Sequence, residues 1–280
     1  MQPWKQALQS APNLAAIPSL INEVPLGALP LSGGLTNRCW RVLTSNYGWL
    51  VWRAGSEHCQ VFDIDRRNEA NALLSVEGYL SANRVVAQGE QGLLVTWCEG
   101  KPISADHPAD ALLSELAKIH EIKPSLSIRN FDLTAKLDHY WAHIHDNVLK
   151  RRYKSLYEKY RQLPKLHCED NVLCHFDFGH HNILSAKDQL VVIDWEYAAM
   201  ASPTLDLVLT LDMLGLDYQT GLNLYQQYRY IDNAAEWLDD MRSWQPHSEI
   251  MAMLWYVLAA EQWENPEFLV AAEQIYQRNC

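Results

Sequence analysis

The apolar pattern of this chain changes period once, near Gly100. Before that point the runs are short and rich in Val, Leu and Trp. "RCWRVLT" (38–44) and "GWLVWRA" (48–54) read as strands joined by the turn "SNYG", with the Gly-containing loop "LSGGLTN" (31–37) ahead of them. "DIDRRNEANALLSV" (63–76) carries acids at its start and an Ala/Leu body, which predicts a helix. "VVAQGEQGLLVTWCEG" (85–100) gives two more apolar runs around a Gly-containing turn. After Gly100 the spacing becomes helical. Leu112, Leu113, Leu116 and Ile119 share one face of "ADALLSELAKIHEI" (109–122), and 136–163 continues the pattern as one stretch. Helical runs in the last 75 residues are expected to break near Gly215, Pro246 and Pro266. The expectation is an α+β chain with a small sheet-rich lobe over 1–97 and a larger, mainly helical lobe over 98–280.

The composition removes several classes of function. Hydrophobic residues make up 48% of the chain and charged ones 20%, an ordinary globular balance. A formal charge of −11 opposes nucleic acid as a partner, because phosphate backbones need a basic surface. No apolar run reaches the length of a membrane span, so no membrane partner is expected. Six cysteines without a Cys-x-x-Cys pair, and no signal-like N-terminal run, predict reduced thiols in a cytoplasmic protein.

The chemistry concentrates in "LCHFDFGHHNIL" (173–184). His175, Asp177, His180 and His181 could be read as ligands of a 2-His-1-carboxylate metal site. Such sites ordinarily sit on all-β scaffolds, whereas this half of the chain is mostly helical. The same letters also spell H-x-D-x-x-x-x-N, the spacing of a phosphoryl-transfer loop. In that reading Asp177 accepts the proton of a substrate hydroxyl and Asn182 holds Mg²⁺ on the phosphates of ATP. A second carboxylate is then required one short hairpin later, and "LVVIDWEY" supplies Asp194 twelve residues after Asn182. Two hard oxygen ligands suit Mg²⁺. His175 reads as an architectural histidine, and Asp206 in "SPTLDLVLT" as a capping or buried structural acid.

"CHFDFGHHNIL", "VVIDWEYAAMASPTLDL", "GGLTNRCWRV" and "LAKIHEI" together resemble the aminoglycoside phosphotransferase/choline kinase superfamily, whose members have a protein-kinase-like bilobal fold. The resemblance covers most of the chain and implies an ATP-dependent small-molecule kinase. It also implies a basic residue for the phosphates, Arg53 in "WLVWRA", paired with Glu69 on the following helix. Gly33, Gly34, Thr36 and Asn37 would then border the nucleotide, and the adenine would lie near Trp97 to Glu99. Glu196 would either join the metal shell or meet the substrate.

The "DWEYA" form looks most like choline/ethanolamine and thiamine kinases, whose acceptors are primary alcohols with a fixed positive charge. Aromatic faces and carboxylates recognise such cations. Tyr197, Trp255 and Trp263 are accordingly the candidate substrate residues, with Trp237 and Trp244 further along the same region. An aminoglycoside-type phosphotransferase and a catalytically silent binder of nucleotide or metabolite are the alternatives. The oligomeric state is left open.

Overall fold

The computed structural model describes residues 1–31, 39–187 and 189–280. Its strands and helices follow in the order β1 (Gln2–Pro3), α1 (Trp4–Ser10), α2 (Ile17–Ile21), β2 (Gly27–Pro30), β3 (Trp40–Thr44), β4 (Gly48–Ala54), α3 (Glu57–Val61), α4 (Arg66–Val76), β5 (Val85–Gly89) and β6 (Gly92–Thr96). These strands form one antiparallel sheet in the order β1-β2-β3-β4-β6-β5. In β3 and β4, alternation sends Val42, Leu50 and Trp52 to one face and Val51 and Arg53 to the other. The first face is closed by α1, a 3₁₀ turn at Pro12–Ala16 and α2, through Trp4, Leu14 and Ile17. The second face packs on α4 and looks toward the rest of the chain.

The chain leaves this sheet at Thr96 and enters β7 (Lys101–Pro102), which pairs with β9 (Ile183–Ala186) of a second sheet. Helices α5 (Ala109–Glu121), α6 (Leu133–His143) and α7 (Asn147–Tyr160) come before β8 (Val172–Cys174). Strands β9 and β10 (Gln189–Val192) form a hairpin, and β11 (Ala199–Ala201) pairs back on β8. Helices α8 (Pro203–Leu214), α9 (Tyr218–Tyr225), α10 (Ala234–Gln262) and α11 (Glu267–Asn279) complete an α+β bilobal, kinase-like fold. One apolar core runs from the inner sheet face at Val51 through α5, α8 and α10 to Ile275 on α11.

Two expectations are corrected. Residues 136–163 are not one helix: α6 ends at His143, Ile144 is extended, and Asp146 caps a new helix by accepting from Val148 N and Leu149 N at 2.6 and 3.1 Å. Pro246 does not break a helix either, because α10 runs through it for 29 residues. A proline removes one helical donor. Here buried Trp244 and Ile250 anchor both sides of it, while His247 Nδ1 donates to Ser243 O at 2.9 Å. The break at Gly215 is as expected: its φ of +67° is the left-handed turn that favours glycine at a helix end.

Candidate active site

Strand β8 delivers the chain to His175, which is fully buried. His175 Nε2 lies 3.1 Å from Ile193 O, an acceptor only, so this nitrogen carries the proton. Nδ1 is then free to accept from Asp177 N at 3.2 Å. Burial holds this imidazole below its ordinary value, in keeping with one neutral tautomer. Nε2 thereby ties the 175–182 loop to the 193–197 loop while Nδ1 fastens the loop to itself, and with both ring nitrogens used His175 has no part in a metal site.

The loop is held from behind by Asp206, fully buried in the first turn of α8. Its oxygens accept from His175 N at 2.9 Å and Phe176 N at 2.8 Å, and His120 Nε2 is 3.0 Å away. Burial alone would raise this carboxyl, but the hydrogen bond and charge of His120 and the amide of His175 hold it below the ordinary carboxylate value. His120 reaches Tyr225 OH at 2.6 Å through its other nitrogen. Phe176 sits at φ +66°, a strained value for a non-glycine residue, and the two adjacent amides bound by Asp206 sustain it.

Beyond that bend stands Asp177, partly open to the cleft. Asn182 Nδ2 donates to Asp177 Oδ2 at 2.8 Å and to its carbonyl at 3.0 Å. Both amide hydrogens are thus committed to Asp177, and the acceptor end of the amide is directed elsewhere. His181 Nε2 lies 3.1 Å from Asp177 Oδ1, and that contact lifts the His181 imidazole above its ordinary value.

After β10 the chain turns at Asp194, whose φ is +63°. Arg53 on β4 meets three carboxylates: Glu69 on α4 at 2.6 Å, Asp194 at 2.5 Å and Glu196 at 2.9 Å. The Arg53–Glu69 pair read from the sequence is therefore formed. Arg66 was not singled out in the sequence, yet its Nη1 pairs with Glu69 and lies 3.1 Å from Glu196 Oε2. The signal that would have found it is its place three residues before Glu69 on one helix face. Burial raises Asp194, but Arg53 and Arg66 bring it below the usual carboxylate value. Glu196 is pushed up to about 7 by burial and by the neighbouring charge of Asp194. Asn182 and Asp194 offer the hard oxygen donors that suit Mg²⁺.

A cleft of about 1320 Å³ opens from Asp177, Asn182, Asp194, Glu196 and Tyr197 across α6, α8 and α10. Acids outnumber bases on its wall: Asp132, Asp212, Asp217 and Glu249 extend the set beyond the loop, Arg278 lies 3.9 Å from Glu249, and Arg129 and Lys136 are both paired to Asp63. Trp255 lines the cleft and donates from Nε1 to Tyr197 OH at 3.0 Å. Trp263 does not line it. Its ring stacks on Phe62 at 5.2 Å and packs against Phe268, a joint between elements rather than a cleft wall. Trp237 and Trp244 are buried in the helical core. Near the expected base site, Trp97 lies 4.0 Å beneath the Arg41 guanidinium, which also pairs with Glu99. Gly33, Gly34, Thr36 and Asn37 lie outside the described residues.

Solved structures with the same fold include a choline/ethanolamine kinase family protein from Mesorhizobium loti, with a TM-score of 0.71 and 20% identity over 98% of this chain and 93% of that one. The choline kinase LicA from Streptococcus pneumoniae gives 0.68 and 18% over 98% of this chain and 97% of that one, and a structure of LicA in complex with AMP gives 0.69 and 18% over 97% and 98%. The gentamicin complex of APH(2″)-IIa gives 0.66 and 14% over 95% of each chain. Identities this low speak for the fold alone. The sequence itself carries the assignment further: the model of the phosphotransferase enzyme family matches residues 27–247, a span that holds Arg53, Glu69, Asp177, Asn182 and Asp194 together. With the loop, the metal-type carboxylate and the arginine–glutamate pair all inside that match, the chain belongs to the phosphotransferase enzyme family.

Proposed function

We propose that this protein transfers the γ-phosphoryl group of Mg·ATP to the hydroxyl of a small cationic alcohol of the choline, ethanolamine or thiamine type. The observation that carries the reading is convergence. Asp177 and Asn182 from one loop and Asp194 from a second line one acidic, partly aromatic cleft, and Arg53 from a third segment joins them through Asp194.

Asn182 and Asp194 would hold a Mg²⁺ ion, which supplies neutralisation of charge on the phosphate oxygens. Arg53, paired with Glu69 in the free chain, offers a planar fork to the same oxygens. Asp177 receives the acceptor hydroxyl and takes its proton as the hydroxyl oxygen bonds to the γ-phosphorus. The bond from that phosphorus to the β–γ bridging oxygen breaks, and ADP leaves. Asn182 keeps the Asp177 carboxylate turned toward the hydroxyl. Tyr197 and Trp255 present aromatic surface to the cation, and the acids of the wall complement its charge. Glu196 belongs with the phosphate end, because both arginines pair with it. Nucleotide use is supported by the AMP complex of LicA. An acceptor of the choline class draws support from the two choline-kinase neighbours, and an aminoglycoside acceptor from the gentamicin complex.

The test is ADP release with Mg·ATP over thiamine, choline, ethanolamine, a kanamycin-type aminoglycoside and no acceptor. One acceptor should stimulate turnover strongly, chelation of Mg²⁺ should abolish it, and Asp177→Asn should lower the rate roughly 10²–10⁴-fold. Nucleotide binding without stimulation by any acceptor would make the silent-binder reading the better one.

A further inference from the structure

Arg53 faces a conflict that the reaction must resolve. To grip phosphate oxygens it must loosen its hold on Glu69, Asp194 and Glu196, all within 2.9 Å of it. Three buried or half-buried carboxylates would then compete with an anionic nucleotide for a single guanidinium. Desolvated carboxylates without a cation are costly.

Arg66 answers that conflict. It is buried at the start of α4, and its Nε lies 3.4 Å from Ala54 O, the residue after Arg53. Its Nη1 touches Glu69 Oε2 and Glu196 Oε2 together, the second at 3.1 Å. Two of the three carboxylates are therefore bridged by both arginines, whereas Asp194 is ion-paired among the described residues to Arg53. Asp194 is also the carboxylate assigned above to the metal.

We infer that Arg66 is a positioning residue for the phosphoryl-transfer site, the counter-cation that keeps Glu69 and Glu196 neutralised while Arg53 turns to the nucleotide. This rests on the kinase reading of the site. Arg66 itself touches neither phosphate nor metal in this role. It acts by freeing Arg53, so its removal weakens nucleotide binding even where no metal is present.

Calorimetric titration with ADP, in EDTA and again with Mg²⁺, tests this in the full chain. R66M should raise the Kd for metal-free ADP about tenfold or more, since breaking a buried charge pair leaves its partner uncompensated. R66M/E196Q, which removes the surplus carboxylate as well, should recover most of that loss. A Kd unchanged in R66M, or equally weak in both variants, overturns the inference. Folding of the double variant where R66M alone fails supports it, and failure of both overturns it by making Arg66 purely structural. Absence of ADP binding by the wild-type chain overturns the kinase reading and this inference together, whereas the variant outcomes bear on Arg66 alone.

Discussion

Replacing Asp206 by Asn keeps the size of the side chain and removes one of its two acceptors. In the native chain the carboxylate accepts from His175 N at 2.9 Å and Phe176 N at 2.8 Å, with His120 Nε2 at 3.0 Å. Asn has one carbonyl oxygen, so one of the two amides must face an NH₂ group instead. An unsatisfied buried donor costs about 1–3 kcal/mol, and the remaining bonds lose the extra strength of a charged acceptor, roughly 1 kcal/mol. The expected destabilisation is therefore about 2–4 kcal/mol. At roughly 2–4 °C per kcal/mol for a chain of this size class, thermal melting should drop by about 4–16 °C. The activity loss should be larger than the stability loss implies at a temperature where the variant stays folded. Phe176 at φ +66° loses one of the bonds that sustain it, and Asp177 is the next residue. A misplacement of about 1 Å at a reacting group can cost on the order of 10²-fold. Melting followed by circular dichroism and steady-state turnover measured well below the midpoint read the two effects separately. A melting point within about 1 °C of wild type, or a folded variant with full turnover, would refute the argument that Asp206 holds the loop.

The two tryptophans of the acceptor region should behave oppositely. W255F loses the bond to Tyr197 OH and should raise the acceptor KM roughly two- to tenfold with little change in kcat, since one hydrogen bond is worth about 0.5–1.5 kcal/mol. W263F should lower the melting point through its lost stacking on Phe62 and leave the acceptor KM unchanged; a shift in that KM would return Trp263 to the site. His175 is held neutral by burial, so an unfolded chain binds a proton below about pH 6.5 that the folded chain refuses. Stability should accordingly fall as pH drops from about 7 to 5, and H175Q should flatten that slope in urea titrations at several pH values; equal slopes would show that His175 titrates alike in both states.

How much of this was legible depended on sequence separation. Asp177, Asn182 and Asp194 were visible because a strand, a short loop and a hairpin impose fixed spacing between them. Arg53 and Glu69 were legible only through the family resemblance, which pairs a basic strand residue with a glutamate on the following helix. Asp206 could be read as a structural acid, but not as the partner of His120, which lies 86 residues earlier and meets it only because α5 and α8 both pack on β8. The helices of the first 21 residues left no readable signal: at seven and five residues they are too short to show a period. Pro246 misled because tertiary burial overrode a local rule, as it does in long core helices. Trp263, whose ring stacks on Phe62, shows what the sequence cannot separate: an aromatic residue in a helical region looks the same whether it faces a ligand or another ring.

The order in which the ribosome releases these parts sets a constraint on how the site matures. Every side chain assigned above to the phosphoryl-transfer step, from Arg53 to Glu196, has been synthesised before residue 200. The brace of the loop arrives later, with Asp206 on α8 and Tyr225 on α9, and it closes on His120, which has by then waited through more than eighty residues of synthesis. A nascent chain stopped at residue 200 would contain the H-x-D-x-x-x-x-N loop, Asp194 and the Arg53–Glu69 pair. It would lack the buried carboxylate that bends Phe176 and aims Asp177. Competence therefore comes late in the life of the polypeptide, when its final helices dock.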